Sequence, residues 1–542
     1  MTDERMKADL YNAFDNADTI LLKKYVGTLN SLPMIEAGEA ITRIQTGSNA
    51  CLYHVDKIVY DKDENIHDKL MTVYTSLLSD EKNSLVMIMK GAKTHVDLYL
   101  GAVSRNVNEE GGIPAKSHVN AGKTLANVLR GNFPGSELHR VDSERRKDKN
   151  GKPVSDSVGS VIEDCFKGVN TIAAVSGIAA LRNQNEHDSG KFVQGMEKLA
   201  DSMRGKEYAV IYIADVMGAS VIDRLCGEYE DIYSQLSPFK QSVRTLNENN
   251  SKTDTSSMIE GVVNTTNESL AKAVTHGTSH AVTKTNTFGG SVNVNVGVNA
   301  GLVKIGGGIS ADYHHSKGET EGVNESFSNT TTEGKARSLS SQNGIANAIT
   351  SGSGESLQIT YDNRAVKTLL DRIDEQIKRL RSCEDFGLFD SCVYFISGQY
   401  ENAVAAASTY RSLIRGEDSS AESAAVNVWT KKDGSKDIEW LTQYLKRFYH
   451  PMFALQTVCA AKKEDNLYLP VTPALMVSGK ELAFQFSLPK KSVSGLAVVE
   501  CAEFGRNVMG IDGKYQGDLE IGRVYHMHQA EEEKVLLSAD GL

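Results

Sequence analysis

The sequence lacks the features that mark several large classes of protein. Its seven cysteines are far apart and include no C-x-x-C pair, which excludes a zinc-ribbon site and a dense disulfide framework. The longest weakly polar run, "TIAAVSGIAAL" at residues 171–181, is too short to cross a bilayer. The N-terminus is acidic and amphipathic and has no apolar signal-peptide core. We therefore expect a cytoplasmic protein with reduced thiols, no metal site and no membrane partner.

The sequence also lacks a net positive charge and the common enzyme motifs. The net charge of −11 at pH 7 gives no general affinity for nucleic acid, and we interpret the one basic cluster, residues 145–152, as a solvated loop. The sequence contains no H-E-x-x-H, G-x-S-x-G or G-x-G-x-x-G motif. On this basis no catalytic, cofactor-binding or metal-binding residue is assigned.

One fragment of a phosphate-binding motif is present, at Gly122-Lys123-Thr124. A phosphate loop also needs a glycine five residues before Gly122 and a buried strand leading into the loop, but that position is Ser117 and the preceding "GGIPAKSH" is polar. We interpret residues 118–135 as a helix N-terminus instead. Asp215 ends the buried-strand pattern "YAVIYIAD", where an NTPase would hold its Mg²⁺-binding acid, and we interpret it as a strand-end aspartate.

Three segments repeat one plan, in which a helix ends in an apolar residue followed by Arg-Gly and leads toward a strand. Gly131, Gly205 and Gly416 are predicted to take the left-handed conformation that ends a helix. The third segment is the clearest, with a helix at 401–415 between two strands. Short strands mixed with helices predict an α+β fold of layered strand-helix-strand units. The helix before the third segment carries a core-facing stripe: Val366, Leu369, Leu370, Ile373, Ile377 and Leu380.

Residues 251–350 differ sharply in composition from the rest of the chain. Fifty of these hundred residues are Ser, Thr, Gly or Asn and none is proline, so the segment cannot build a conventional core. Valines alternate with Asn and Gly at its centre, which predicts a β-hairpin, and sparse apolar positions on both sides predict two antiparallel helices. We expect either a helical stalk with a β-hairpin tip or a flexible surface insertion. The residues expected to meet in an oligomer are Val292, Val294, Val296, Val298, Leu302 and Ile305.

Composition shifts divide the chain into five expected regions. They are a helix-and-strand segment at 1–80, an α+β domain at 81–250, the stalk and hairpin at 251–355, a second α+β domain at 356–450 and a β-rich domain at 451–542. In the last region, short alternating runs separated by glycines predict a small β-barrel or sandwich.

The C-terminal stretches "FSLPKKSVSGLAVVECAEFGRNV" and "LEIGRVYHMHQAEEEKVLLSADGL" resemble the segment just before the motor domain of bacterial HerA/FtsK-type ATPases, the hexameric DNA-pumping class. Upstream, "LLDRIDEQIKRLRSCEDFGLFDSCVYFIS", "AASTYRSLIRGEDSSAESAAVNVW" and "LRGNFPGSE" resemble the N-terminal half of those proteins, and the resemblance covers most of the chain. It implies a phosphate loop shortly after a segment like "LLSADGL". The sequence stops at Leu542, so the resemblance implies that ATP and Mg²⁺ bind only to a motor domain downstream of it.

Two functions are consistent with these patterns. The first is a non-catalytic assembly and partner-recognition module of a HerA/FtsK-like translocase, which would form a homo-oligomeric ring and contact a protein partner or surround DNA. The second is a self-standing oligomeric binding or pore-forming protein that uses the Gly/Asn-rich hairpin. A phosphate loop encoded directly downstream favours the first function, and dye leakage from liposomes favours the second.

Overall fold

The structure of the protein is a computed structural model. It describes residues 17–60, 64–105, 117–142, 146–147, 153–154, 157–179, 196–237, 241–246, 294–295, 304–305, 357–362, 364–384, 386–415, 424–432, 434–457, 467–500, 519–526 and 529–537. The predicted helix end Gly416 and most of the expected stalk lie outside these residues.

The described strands are β1 (Ala50–Tyr60), β2 (Asn83–Gly91), β3 (Val96–Ser104), β4 (Glu137–Arg140), β5 (Arg146–Lys147), β6 (Pro153–Val154), β7 (Thr171–Ser176), β8 (Tyr208–Met217), β9 (Gln241–Leu246), β10 (Val294–Asn295), β11 (Lys304–Ile305), β12 (Leu357–Asp362), β13 (Leu388–Ser397), β14 (Ala425–Thr430), β15 (Phe453–Thr457), β16 (Leu467–Val471), β17 (Leu475–Ser478), β18 (Ala497–Glu500), β19 (Leu519–His526) and β20 (Gln529–Leu537). The described helices are a 3-10 helix (Lys24–Ser31), α1 (Glu39–Thr42), α2 (Ile66–Thr75), α3 (Ser117–Asn132), α4 (Val158–Cys165), α5 (Met196–Ser202), α6 (Ala219–Leu236), α7 (Arg364–Ser382), α8 (Tyr400–Ile414), α9 (Asp437–Leu445) and α10 (Gly479–Gln485). Among these helices, none combines the length and the apolarity that a membrane span requires.

The chain divides into two compact units, and each unit combines stretches that are distant in sequence. The ribbon unit consists of Met1–Tyr25, Ser220–Ser382 and Ala454–Val471, and the sheet unit of Val26–Ala219, Cys383–Phe453 and Thr472–Leu542.

A ten-stranded sheet forms the core of the sheet unit. Its order is β14-β7-β13-β8-β2-β3-β1-β18, with β17 also paired to β13 and β4 to β1. The pairs are antiparallel except for β1 and β18. All ten residues of β8 and of β13 are buried, which explains why both read as nearly continuous apolar runs. This sheet and its helices confirm the predicted α+β fold.

The third predicted strand-helix-strand segment is confirmed, because β13, α8 and β14 follow one another and α8 packs on β13 and β7. The small C-terminal barrel is a correction, because the described strands of 451–542 do not form one. β17 and β18 join the large sheet, and β19 pairs with β20. Alternation of residues identifies strands, but packing with distant segments decides which strands become neighbours.

The ribbon unit contains α6, α7 and a two-stranded antiparallel ladder of β9 and β12. All six residues of the predicted stripe on α7 are buried, so that prediction is confirmed. An ion pair between Glu230 and Arg381 joins α6 to α7. In the ladder, Gln241 is opposite Asp362 and Leu246 is opposite Leu357.

The predicted helix end at Gly131 is wrong. α3 continues to Asn132, and the Phe133 N–H still bonds to the Leu129 carbonyl at 2.8 Å, which carries helical bonding past Gly131. The left-handed residue is Gly135, with φ of 84°. Gly205 does have a positive φ, 79°, as predicted. The Arg-Gly pair therefore did not decide where α3 ends, because Phe133, 1% exposed, extends its buried face by one more turn.

Two glycines of α3 make a matched pair for mutagenesis. A Cβ on Gly122 would lie 2.6 Å from the Cys51 sulfur, whereas a Cβ on Gly131 has no atom within 4 Å. We expect Gly122→Ala to lower the free energy of unfolding by about 1–3 kcal/mol through overpacking. Gly131→Ala is expected to raise it by about 0.5–1 kcal/mol, because alanine is the better helix former. Urea unfolding measures both, and equal shifts for the two variants would contradict the packing of α3 on β1.

Candidate functional site

The Gly-Lys-Thr tripeptide lies inside α3. The helix begins at Ser117, so the N–H groups of Gly122 and Lys123 belong to the intrahelical hydrogen-bond ladder and cannot form a phosphate cradle. Gly122 is buried against β1, while Lys123 and Thr124 are exposed. The interpretation of this stretch as part of a helix is confirmed.

Asp215 lies near the end of β8 in a row of polar residues that crosses three strands. Ser84 of β2 and Asp390 of β13 are directly opposite Asp215 on its two sides. Both carboxylates are buried, with Asp215 9% and Asp390 5% exposed. Two neighbouring buried carboxylates require compensating positive charge or hydrogen-bond donors.

Arg105, which follows β3, supplies that charge. Its guanidinium forms an ion pair with Asp215, and its side chain is 4% exposed. Arg105 Nε donates to the Ser84 hydroxyl at 2.6 Å, and Nη2 donates to the Phe448 carbonyl at 2.9 Å. The Tyr449 ring lies 4.7 Å from the guanidinium carbon, at cation–π distance.

The segment 448–450 contacts the Arg105 guanidinium through the Phe448 carbonyl and the Tyr449 ring. Phe448 has a φ of 59°, a conformation that costs free energy for an aromatic residue, and it is completely buried. This backbone turn directs the Phe448 carbonyl and the Tyr449 ring to the same guanidinium. The unfavourable backbone conformation therefore lies at Phe448, next to the polar residues around Arg105.

His450 completes this polar cluster. Its Nδ1 is 2.6 Å from the Tyr394 hydroxyl, and its Nε2 is 3.3 Å from the Asp390 carbonyl and 3.6 Å from Asp215 Oδ2. Burial raises the pKa of Tyr394 well above its ordinary value, so its hydroxyl remains a donor. A neutral imidazole that accepts from Tyr394 and donates through Nε2 satisfies all these contacts. We call this set, Ser84, Arg105, Asp215, Asp390, Tyr394 and His450, the buried ion cluster.

A second polar cluster joins β1, β3 and β4. The tripeptide His-Val-Asp occurs at residues 54–56 in β1 and at 95–97 where β3 begins. His54 Nδ1 is 2.9 Å from Asp56 Oδ1, and His54 Nε2 is 3.2 Å from Asp97 Oδ1. His95 Nε2 is 3.4 Å from Asp97 Oδ2. The two tripeptides are therefore interlocked through His54.

His139 of β4 extends this chain of contacts. Its Nδ1 bonds to Asp56 Oδ2. The β1–β4 register shifts between Val55 and Lys57, so that Asp56 occupies a β-bulge. Burial raises the pKa of the Asp56 carboxyl, but hydrogen bonds and charge from His54 and His139 outweigh it, and the net pKa is lowered. We call His139, Asp56, His54, Asp97 and His95 the His/Asp chain.

The His/Asp chain is arranged for protons rather than for a metal. Each oxygen of Asp56 and Asp97 faces a different imidazole nitrogen, so the donors do not surround one centre. Throughout the described ranges, no group of three or more His, Cys, Asp or Glu residues is arranged to hold a metal ion.

Sequence reasoning found Asp215 but missed its partners and the whole His/Asp chain. Arg105 and His450 carry no local signal, because they are far from Asp215 in sequence. The repeated His-Val-Asp is a signal, since residues two apart in a strand share one face.

The structure places only part of the expected oligomerisation set. Val294 of β10 and Ile305 of β11 are directly opposite each other in an antiparallel pair. Lys304 of β11 is also opposite Leu467 of β16. Val292, Val296, Val298 and Leu302 lie outside the described residues, and the role of the set stays a prediction.

Comparison of the chain with protein-family models, curated proteins and solved structures finds no match. The fold itself therefore defines the class, an α+β protein built on a large antiparallel sheet with two polar clusters in its sheet unit.

Proposed function

We propose that this chain is a non-catalytic assembly and partner-recognition module of a HerA/FtsK-like ATP-driven translocase, with nucleotide hydrolysis carried by a separate motor domain. The expected stalk and hairpin, residues 251–355, are the contact element. Copies of the chain assemble as a ring through this element, and the ring contacts a protein partner or surrounds DNA.

The observation that carries the proposal is the ladder of β9 and β12. Leu246 and Leu357 are directly opposite each other, and the pairing continues back to Gln241 and Asp362. The two ends of the long Ser/Thr/Gly/Asn-rich segment therefore meet at one place. A segment that leaves and returns through a paired root can be presented to another molecule without disturbing the fold that holds it.

Two further observations support a non-catalytic role. Gly122 is packed against β1 inside a helix, and Asp215 is paired with Arg105 inside the sheet unit. Both positions at which nucleotide chemistry would be expected thus have structural partners of their own. The valine-rich hairpin favours self-association, because an isolated two-stranded hairpin is marginal in water and edge-to-edge pairing would bury its apolar face.

A pair of matched variants tests this role. Changing Val292, Val294, Val296 and Val298 together to Asn should shift self-association to a concentration at least about tenfold higher, since burying one valine is worth ~1.5 kcal/mol. The control variant changes Asn293, Asn295 and Asn299 to Ser and should associate like the wild type. Sedimentation velocity over a concentration series gives both values. Equal association of the two variants and the wild type would exclude the hairpin as the assembly contact.

A further inference from the structure

The His/Asp chain has a chemical property that the assembly role does not use. It is a continuous series of imidazole–carboxylate contacts that crosses from β4 through β1 to the turn before β3. We propose that the His/Asp chain is a proton-sensitive latch, which holds β4 and the turn before β3 against β1 when His54 is protonated on both ring nitrogens and loosens when His54 loses one proton.

His54 is the central element of the latch. Its side chain is 3% exposed, and both of its nitrogens face carboxylate oxygens. Ionised carboxylates only accept hydrogen bonds, so the imidazolium form is the one that can donate to Asp56 and Asp97 together. Loss of a proton leaves a nitrogen lone pair facing a carboxylate oxygen in a buried place, which is unfavourable.

The ends of the chain connect this buried group to solvent. His139 and His95 each have a side chain that is 39% exposed. The Thr94 hydroxyl is 3.1 Å from His95 Nδ1, so the neutral form of His95 can accept there and donate to Asp97. Contacts between imidazoles and carboxylates therefore connect His54 to a partly exposed histidine at each end.

Other titratable and charged groups lie on the same three strands. The Tyr99 ring of β3 lies edge-on to His54, with ring centroids 5.0 Å apart. In the β1–β4 ladder, Lys57 Nζ is 3.4 Å from Glu137 Oε1. Asp56 and Asp97 are the carboxylates that face the two ring nitrogens of His54.

The direction of the pH response follows from these contacts. Asp56 has a lowered pKa, so its carboxylate persists when the solution is made moderately acidic. The contacts of His54 with Asp56 and Asp97 are complete where the imidazole holds both protons, and one of them is lost when a proton leaves as the pH rises. The latch is therefore closed at mildly acidic pH and loosens toward alkaline pH.

Hydrogen exchange of the β4 backbone amides tests the latch. In the intact wild-type chain, we expect protection of the peptide covering residues 137–140 to fall by about tenfold or more between pH 6 and pH 9, after correction for intrinsic exchange rates, since one pK unit of linkage is a factor of ~10. His54→Gln should remove this pH dependence and leave β4 weakly protected at both pH values. Lys57→Met is the control. It should change the protection of the β4 peptide, relative to the wild type, by the same factor at pH 6 and at pH 9.

A second variant keeps the test decisive if His54→Gln does not fold. His139→Gln changes a partly exposed residue and breaks only the link to β4. The pH dependence of the β4 peptide should then disappear, while that of the peptide around residues 94–97 remains. Unchanged wild-type protection from pH 6 to pH 9, or an equal fall in His54→Gln or in His139→Gln, would overturn the proposal.

Discussion

Changing Asp215 to Ala is expected to lower the free energy of unfolding of the sheet unit by about 3–5 kcal/mol, because it removes the carboxylate that forms the ion pair with the buried Arg105 guanidinium. The Arg105 side chain is only 4% exposed, so water cannot replace the lost carboxylate. The Ser84 hydroxyl and the Phe448 carbonyl remain as hydrogen-bond partners, but neither carries a charge. The effect is measured as a lower urea midpoint at an unchanged slope.

Two controls separate this effect from simple loss of volume. Removing both charges of the pair, with Arg105→Met and Asp215→Leu together, should cost less than Asp215→Ala alone, since neither partner of the Arg105–Asp215 pair is left behind. Glu39→Ala breaks the exposed Arg43–Glu39 pair and should change stability by less than ~0.5 kcal/mol. If Asp215→Ala costs no more than Glu39→Ala, the buried ion cluster does not stabilise the sheet unit.

Acidification from pH 6.5 to pH 4 is expected to remove about 3 kcal/mol of stability through one residue, His67. Burial, and secondarily the charge of Lys490, lowers the pKa of His67 from 6.5 to about 4. Its Nε2 has no hydrogen-bond partner within the described residues, and its ring stacks on Phe484 with centroids 3.9 Å apart. As the pH falls from 6.5 to 4, His67 becomes protonated in the unfolded chain but stays neutral in the folded chain. The free energy of unfolding therefore decreases over this pH range.

The comparison of His67→Leu with the wild type isolates this effect. Leucine can pack against Phe484 and cannot be protonated, so the variant should lose less stability between pH 6.5 and pH 4. The measurement is urea unfolding at several pH values, with the difference between the two proteins as the quantity of interest. If the free energy of unfolding falls equally with decreasing pH in both proteins, His67 is not held neutral in the folded state.

Local patterns predicted the elements of this fold, and distant contacts determined the rest. The stripe on α7 was predictable because its spacing depends only on the geometry of one helix. The sheet order was not, since β1 and β18 are parallel neighbours although they are more than 400 residues apart in sequence. The helix end at Gly131 was wrong because burial of Phe133 overrode a local signal.

The polar clusters show the same division. Asp215 was noticed in the sequence because it follows an apolar run. Its partner Arg105 could not be predicted, because Arg105 bonds to Ser84, and Ser84 is next to Asp215 only through the pairing of β2 with β8. The His/Asp chain was predictable in part. Two copies of His-Val-Asp are present in the sequence, but the bulge that places Asp56 between His54 and His139 depends on pairing with β4.

Light scattering on the intact chain and on a variant that lacks residues 288–313 tests the assembly role most directly. Deleting this part of the contact element should leave the α+β fold intact by circular dichroism, because β9 and β12 still pair at its root. We expect the intact chain to be oligomeric and the deletion variant to have a lower oligomer mass or a weaker affinity for its partner. Identical oligomer masses and identical partner affinity for the two proteins would contradict it.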